Sequence, residues 1–326
     1  MRFILPRFRP EDSFIDNVAF TLERMGHEVL TRERASSEWP TSKLPALLRE
    51  VSTRVGFQNP EERWLLKAAR DFRPDVVLAL TKAISEETLF AIRKLGVPHT
   101  VAWWGDAPAN MRSMGLFCDG WDHIFMKDPE GVKKLRRVGL NAHPLHEAMN
   151  PEWHRCVATR SNREVAVAGN FYGFRQLLVS RLIDAGVSVG LYGPPPPRWA
   201  MPVIRECHSG RFLVKEEKSR VFGEALACLN SMAMAEGNAL NCRAFEIAGA
   251  GGLQLLEQRP IVEECFEPGR ELLTFDTLDE LLDLIQRAER EPQWADAVRQ
   301  AGNRRALAEH TYEHRLRFIL ETIESA

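Results

Sequence analysis

A segment that could bind a phosphorylated ligand runs from 241 to 252 (NCRAFEIAGAGG). The pattern predicts a polar loop that opens a helix, followed by a glycine-rich turn. Helix N-termini offer unpaired N–H groups and partial positive charge, which suit a diphosphate. Arg243 falls in the first turn and can pair with phosphate, while Glu246 can accept both hydroxyls of a ribose. The alternative is a surface Arg–Glu pair at i,i+3, which is common on exposed helices.

The elements around this segment alternate between strands and helices in two halves of the chain. A continuous apolar run, Val76–Leu80, is typical of a strand buried on both faces of a parallel sheet, and Val165–Ala168 restarts the alternation. The fold class is therefore α/β, with two doubly wound, Rossmann-like domains. We expect an N-terminal domain over 1–149, a linker over 150–162 and a C-terminal domain over 163–308.

The last segment, 309–326, carries an apolar stripe at helical spacing that needs a partner surface. It is predicted to form a helix that packs back toward the N-terminal domain. In two doubly wound domains, ligands bind at the carboxyl ends of the strands, so a cleft between the domains is the expected binding region. His310 and His314 are spaced i,i+4 like metal ligands, but without an apparent third ligand they favour a helix-surface or interhelix role.

Composition excludes several classes of function. The formal net charge of −2 gives no support to nucleic-acid binding by bulk positive charge. The chain has no apolar run of about 18 residues, so no transmembrane segment is expected, and its N-terminus does not resemble a signal peptide. The six cysteines are scattered without a Cys-x-x-Cys pair, which favours reduced thiols, no structural zinc and a cytoplasmic location.

A set of motifs in a fixed order resembles the CgeB-like (spore maturation protein) glycosyltransferases. The match spans roughly residues 70 to 315, and its order and spacing are more specific than any single motif. In the N-terminal half the motifs are 74–77 (PDVV) and 103–108 (WWGDAP). In the C-terminal half they are 169–175 (GNFYGFR), 243–249 (RAFEIAG), 266–273 (FEPGRELL), 279–281 (DEL), 301–302 (AG) and 310–315 (HTYEHR).

This resemblance implies a GT-B enzyme, which holds a nucleotide sugar in its C-terminal domain. It assigns Glu246 to the donor ribose and places Gly169 and Asn170 where backbone N–H groups approach the sugar diphosphate. Arg175 is expected to reach the phosphates, against the alternative of a solvated helix residue, and Gly193 to line the pocket, against that of a turn glycine. The full expected donor set is Gly169, Asn170, Arg175, Gly193, Asn238, Asn241, Arg243 and Glu246.

Two departures bear on the mechanism. Many retaining GT-B enzymes carry two glutamates eight positions apart, but Asn238 stands eight before Glu246, and Glu236 is displaced by two residues. Asn238 and Asn241 can instead donate hydrogen bonds to the sugar or phosphate. The chain also lacks the Asp-x-Asp pattern with which metal-dependent transferases hold a divalent ion. We therefore expect no metal and no cofactor, with arginines and helix N-termini stabilising the diphosphate.

The catalytic candidates lie in the N-terminal half. An inverting transfer needs a carboxylate or histidine to take the proton of the acceptor hydroxyl. Asp106 follows a strand and is the first candidate, although an aspartate before Pro108 can also cap its own loop. His143 and His146 are the alternative bases, and a plain interface role is their other interpretation.

The sequence thus predicts a metal-independent glycosyltransferase that uses a nucleotide-diphosphate sugar, with UDP or dTDP as the expected carrier. The acceptor is open among glycans, proteins and small metabolites. The alternatives are a non-catalytic GT-B-like binding or scaffold protein and a nucleotide-sugar epimerase of the same architecture.

Overall fold

The computed structural model describes residues 1–33, 60–106 and 118–325. The described residues form two compact units. The first contains residues up to Asp106, residues 118–145 and the end of the chain from Phe318, and the second contains His146–Arg317.

The first unit is built on a parallel sheet of six strands in the order β2-β1-β3-β4-β5-β6. Its central strand β3 is buried at every residue, as its continuous apolar sequence predicts. The strands are β1 (Arg2–Phe8), β2 (Glu28–Arg32), β3 (Val76–Leu80), β4 (His99–Trp104), β5 (His123–Met126) and β6 (Ala142–Pro144). The described helices before residue 146 are α1 (Phe14–Arg24), α2 (Pro60–Phe72), α3 (Glu86–Lys94) and α4 (Pro129–Arg137).

The second unit is built on a parallel sheet of five strands in the order β11-β10-β9-β7-β8. The chain crosses from β8 past β7 to β9, so the strand order reverses beside β7, which is where doubly wound sheets bind ligands. The strands are β7 (Val165–Ala168), β8 (Val189–Tyr192), β9 (Ala227–Asn230), β10 (Gln254–Glu257) and β11 (Leu273–Phe275).

Two of the remaining helices were not predicted from the sequence. α6 and α9 have six and four residues, too few to show an apolar period. The helices are α5 (Gly173–Asp184), α6 (Pro202–Cys207), α7 (Lys215–Glu224), α8 (Cys242–Gly249), α9 (Val262–Cys265), α10 (Leu278–Arg290), α11 (Pro292–Glu309) and α12 (Tyr312–Glu324). None of the helices in the described ranges combines the length and the apolar character that crossing a bilayer requires.

Two segments near the expected domain boundaries can each be assigned to one of the two units. Residues 150–162, which the sequence suggested as a linker, group with the second unit, because His154 is fully buried and the Ser219 hydroxyl donates to the carbonyl of Trp153 at 2.9 Å. The end of α12 groups with the first unit, where the rings of Phe318 and Phe125 lie 6.0 Å apart.

Candidate functional site

The backbones of β7 and β8 come together at two glycines at the carboxyl ends of these strands. Gly169 has φ +115° and Gly193 has φ +136°, values that L side chains rarely adopt. The Gly169 N–H donates to the Tyr192 carbonyl at 2.9 Å, and a Cβ on Gly193 would lie 2.5 Å from the Gly169 carbonyl oxygen. Both positions therefore require glycine.

Arg243 lies against the first of these glycines. A Cβ on Gly169 would meet the Arg243 guanidinium at 2.8–3.0 Å, so the guanidinium occupies the space that any other residue would need. Its Nε is buried and has no hydrogen-bond partner among the described residues. The surface Arg–Glu pair considered from the sequence is not formed in the described structure, because Glu246 pairs with Lys218 instead. Arg243 thus has no anionic partner among the described residues, and it lies at the carboxyl end of β7.

Arg175, on α5, is only 3% exposed, so the alternative of a solvated helix residue is wrong. Its Nε donates to the Ser231 hydroxyl at 2.8 Å, its Nη1 donates to the Asn170 carbonyl at 2.6 Å, and its Nη2 donates to the Ser231 carbonyl. Burial and the nearby charge of Arg243 lower the pKa of Arg175 to about 10. Two guanidinium groups therefore lie close enough to repel one another, an arrangement that a bound anion would relieve.

The asparagines expected in the donor site are largely used by the fold. Asn241 is the N-cap of α8, where its Oδ1 accepts the Ala244 N–H at 3.1 Å and its Nδ2 donates to Asn230 at 3.0 Å. The Oδ1 of Asn238 accepts the N–H of Ile261 at 3.0 Å. The backbone carbonyl of Asn170 accepts a hydrogen bond from Arg175. The side chain of Asn241 is used to cap the helix and to bind Asn230, and its role in the donor site stays a prediction.

Glu246 is buried, at 4% exposure, on the face of α8 that packs into the second unit. Its Oε1 accepts a hydrogen bond from Nζ of Lys218 on α7 at 3.0 Å, and Nε2 of His154 lies 3.8 Å from the same oxygen. Nδ1 of His154 accepts the Asn150 N–H at 3.1 Å, which leaves the proton of a neutral imidazole on Nε2, facing the carboxylate. Sequence reasoning missed Lys218 and His154 because both are remote in sequence and no motif marks them.

The catalytic candidates Asp106 and His143 belong to the first unit, whereas the alternative base His146 belongs to the second. Asp106 comes two residues after β4 and is half-buried. His143, on β6, has its Nε2 3.4 Å from Nδ1 of His123, and burial together with His123 and Arg136 lowers its pKa. A lowered pKa keeps the imidazole neutral near pH 7, the form that accepts a proton. Their roles stay predictions.

Comparison with known proteins gives a family-model match over part of the chain and a likeness in fold. The family model described as "Glycosyl transferase-like" matches residues 174–321, somewhat less than half of the chain. No curated protein matches the sequence significantly.

Three solved structures illustrate the likeness in fold. The sucrose-phosphate synthase of Thermosynechococcus elongatus is 12% identical, with 99% of this chain and 98% of that chain covered and a TM-score of 0.66. Anabaena HepE, in complex with UDP-glucose, is 10% identical, with coverages of 100% and 99% and a TM-score of 0.65. AviGT4, a glycosyltransferase involved in avilamycin A biosynthesis, is 14% identical, with coverages of 99% and 97% and a TM-score of 0.61. At these identities the likeness establishes the fold, which is α/β and GT-B-like with two parallel sheets.

Proposed function

We propose that this protein is a glycosyltransferase that moves a sugar from a UDP- or dTDP-sugar to an acceptor hydroxyl without a metal ion. The observation that carries the proposal is the guanidinium of Arg243, which lies against Gly169 near the buried Arg175 and has no anionic partner in the described part of the chain. Two cations at the switch point of a doubly wound sheet form a site for a compact dianion such as a diphosphate. The fold and the matched family model support the same reading.

The two arginines have different tasks in this proposal. Arg175 already gives hydrogen bonds to Ser231 and Asn170, so it acts on the diphosphate mainly through its charge. Arg243 has donors to spare and pairs with the phosphate oxygens directly. As the bond between sugar and diphosphate breaks, negative charge grows on the leaving phosphate, and preorganised cations stabilise it. In this proposal the arginines stabilise the charge on the leaving phosphate in place of a metal ion.

Glu246 is the proposed contact to the ribose of the nucleotide. Its carboxylate lies one turn after Arg243 on the same helix, so phosphate and ribose contacts come from one short segment. A ribose hydroxyl that donates to a carboxylate forms a charge-assisted hydrogen bond, which contributes about 1.5–3 kcal/mol. We also propose that the enzyme is of the CgeB-like type, on the motifs described from the sequence.

The test measures nucleotide binding and then transfer. In a thermal-shift panel of UDP-, dTDP- and GDP-sugars, a cognate donor at 100 times its Kd should stabilise the fold by about 2.7 kcal/mol. Glu246→Ala should weaken nucleotide binding by about 2–3 kcal/mol, while Glu263→Ala, at an exposed carboxylate on α9, should not. A folded Glu246→Ala protein with normal affinity would remove Glu246 from the site.

Incubation with the cognate donor distinguishes a transferase from an epimerase and from a scaffold protein. A transferase consumes the donor in proportion to the acceptor supplied. An epimerase would convert it without any acceptor, and a scaffold protein would bind it without turnover. Either of the last two results contradicts transferase activity while leaving the donor site intact.

A further inference from the structure

The two oxygens of the Glu246 carboxylate have different surroundings. Lys218 donates to Oε1 at 3.0 Å, and Nε2 of His154 faces the same atom at 3.8 Å. Among the described residues, none donates a hydrogen bond to Oε2. A carboxylate has about two acceptor sites on each oxygen. On Oε1 the Lys218 hydrogen bond occupies one of them and His154 lies beside the atom, so Oε2 is the more accessible oxygen for a ligand.

The contact with Lys218 is also well shielded from water. The side chains of Glu246 and Lys218 are 5% and 12% exposed, so solvent screens their attraction far less than at a surface. α7 supplies the lysine and α8 the glutamate, and the two helices are packed together. Rotation of the Glu246 carboxylate would have to break this buried contact.

We infer that Lys218 is a positioning residue that fixes Glu246 so that Oε2 alone binds the ribose, and that the site therefore discriminates through one ribose hydroxyl. This inference rests on the proposed function. It adds a specificity determinant that lies on α7, outside the motifs of the nucleotide site. Lys218 does not touch the ligand; it acts through the orientation of the carboxylate.

The experiment compares the Kd values of UDP, 2′-deoxy-UDP and 3′-deoxy-UDP by calorimetry. In the unaltered protein, removal of one hydroxyl should weaken binding roughly 10- to 100-fold, the loss of one charge-assisted hydrogen bond, and removal of the other should change it less than about threefold. In Lys218→Met, the Kd of each deoxy analogue should lie within about threefold of the Kd of UDP. The reason is that the carboxylate is no longer held in one direction. Lys218→Arg should retain the discrimination, since arginine supplies the same charge-assisted donor.

Arg299→Met is the matched control. Arg299 is another buried cation of the second unit, 6% exposed, and its Nη2 donates to the carbonyl of Ala225 at 2.9 Å. Its loss should lower the melting temperature and leave the hydroxyl ratios unchanged. If Lys218→Met is too unstable to purify, Lys218→Arg and the double variant Lys218→Met/Glu246→Gln, which removes both charges, carry the test. The double variant should show no discrimination.

Three results would overturn the inference. Equal losses for both deoxy analogues in the unaltered protein would mean that both oxygens bind the ribose. Normal ratios in Lys218→Met, with ratios abolished in Glu246→Ala, would make the lysine a structural ion pair only. No binding of UDP or dTDP by the unaltered protein would overturn the proposed function together with this inference, which distinguishes that failure from the first two.

Discussion

Arg243→Met should lower the affinity for nucleotide without weakening the fold. Arg243 has no described anion to pair with, and its Nε is buried without a partner. In the proposed complex it gives the phosphate at least one charge-assisted hydrogen bond, which contributes about 2 kcal/mol. Its removal should therefore raise the Kd of UDP roughly 30-fold. Methionine keeps the apolar stem of the side chain and removes the guanidinium that lies against Gly169.

The stability of the unliganded variant should move the other way. Arg175 is buried, and the charge of Arg243 contributes to its lowered pKa of about 10. One pKa unit corresponds to about 1.4 kcal/mol, and burial is the larger cause of this shift, so relief of the repulsion should raise the free energy of unfolding by up to about 1 kcal/mol. A gain in stability together with a loss of affinity is expected when a binding residue is repelled by a neighbour of like charge.

Calorimetry with UDP and urea unfolding of the unliganded protein measure the two effects. Arg270→Met, which removes an exposed arginine paired with Glu267, is the control and should change neither. A folded variant with unchanged affinity for UDP would refute the role of Arg243. A loss of about 2 kcal/mol or more in unfolding free energy would refute the claim that it is unpaired.

Three further predictions concern the metal, the base and pH. Transfer activity should persist in EDTA; complete loss that Mn²⁺ or Mg²⁺ restores would contradict the arginine-based diphosphate site. Asp106→Asn should lower turnover about 10²–10⁴-fold with little change in nucleotide Kd, and near-normal turnover would clear Asp106 and redirect the search to His143. Burial and Arg315 lower the pKa of His310 to about 4, whereas in the unfolded chain it is near the ordinary 6.5. Between these values the unfolded state binds more protons, so His310 should contribute a loss of about 2 kcal/mol in unfolding free energy from pH 7 to pH 5, measured by urea unfolding. His310→Gln should remove this share of the pH dependence, because glutamine can still donate to the Cys265 carbonyl and accept from Arg315 but cannot titrate.

The sheets could be predicted from sequence because their strands are short apolar runs between helical periods. Val76–Leu80 and Val165–Ala168 are buried at every residue, and such runs have few other places in a soluble protein. Arg243 and Gly169 could be predicted as site residues for a similar reason, since a helix start and a strand end are local features of the chain. Whether they bind a donor is left to the experiments above.

The partners of these residues could not be predicted. Lys218 precedes Glu246 by 28 residues, and only the packing of α7 on α8 brings them together. Asn241 looked available to a ligand because asparagine is equally common in loops and at helix starts, and its role as N-cap becomes visible only in three dimensions. The sequence left open whether Arg175 reaches the phosphates or is solvated, because its neighbours on α5 give a weak amphipathic pattern; its hydrogen bonds to Ser231 and Asn170 are visible only in the structure.

The close approach of Gly193 to Gly169 also limits which substitutions these two positions can accept during evolution. A methyl group on Gly193 would collide with backbone rather than with a side chain that could turn away, and one on Gly169 would displace Arg243. Most loop positions tolerate exchange, but here even alanine is excluded by the fold itself. In a saturation mutagenesis screen these two positions should therefore be as intolerant as catalytic residues, although neither has a side chain with which to do chemistry. Intolerance there would report on the backbone geometry and would be mistaken for a direct role in turnover.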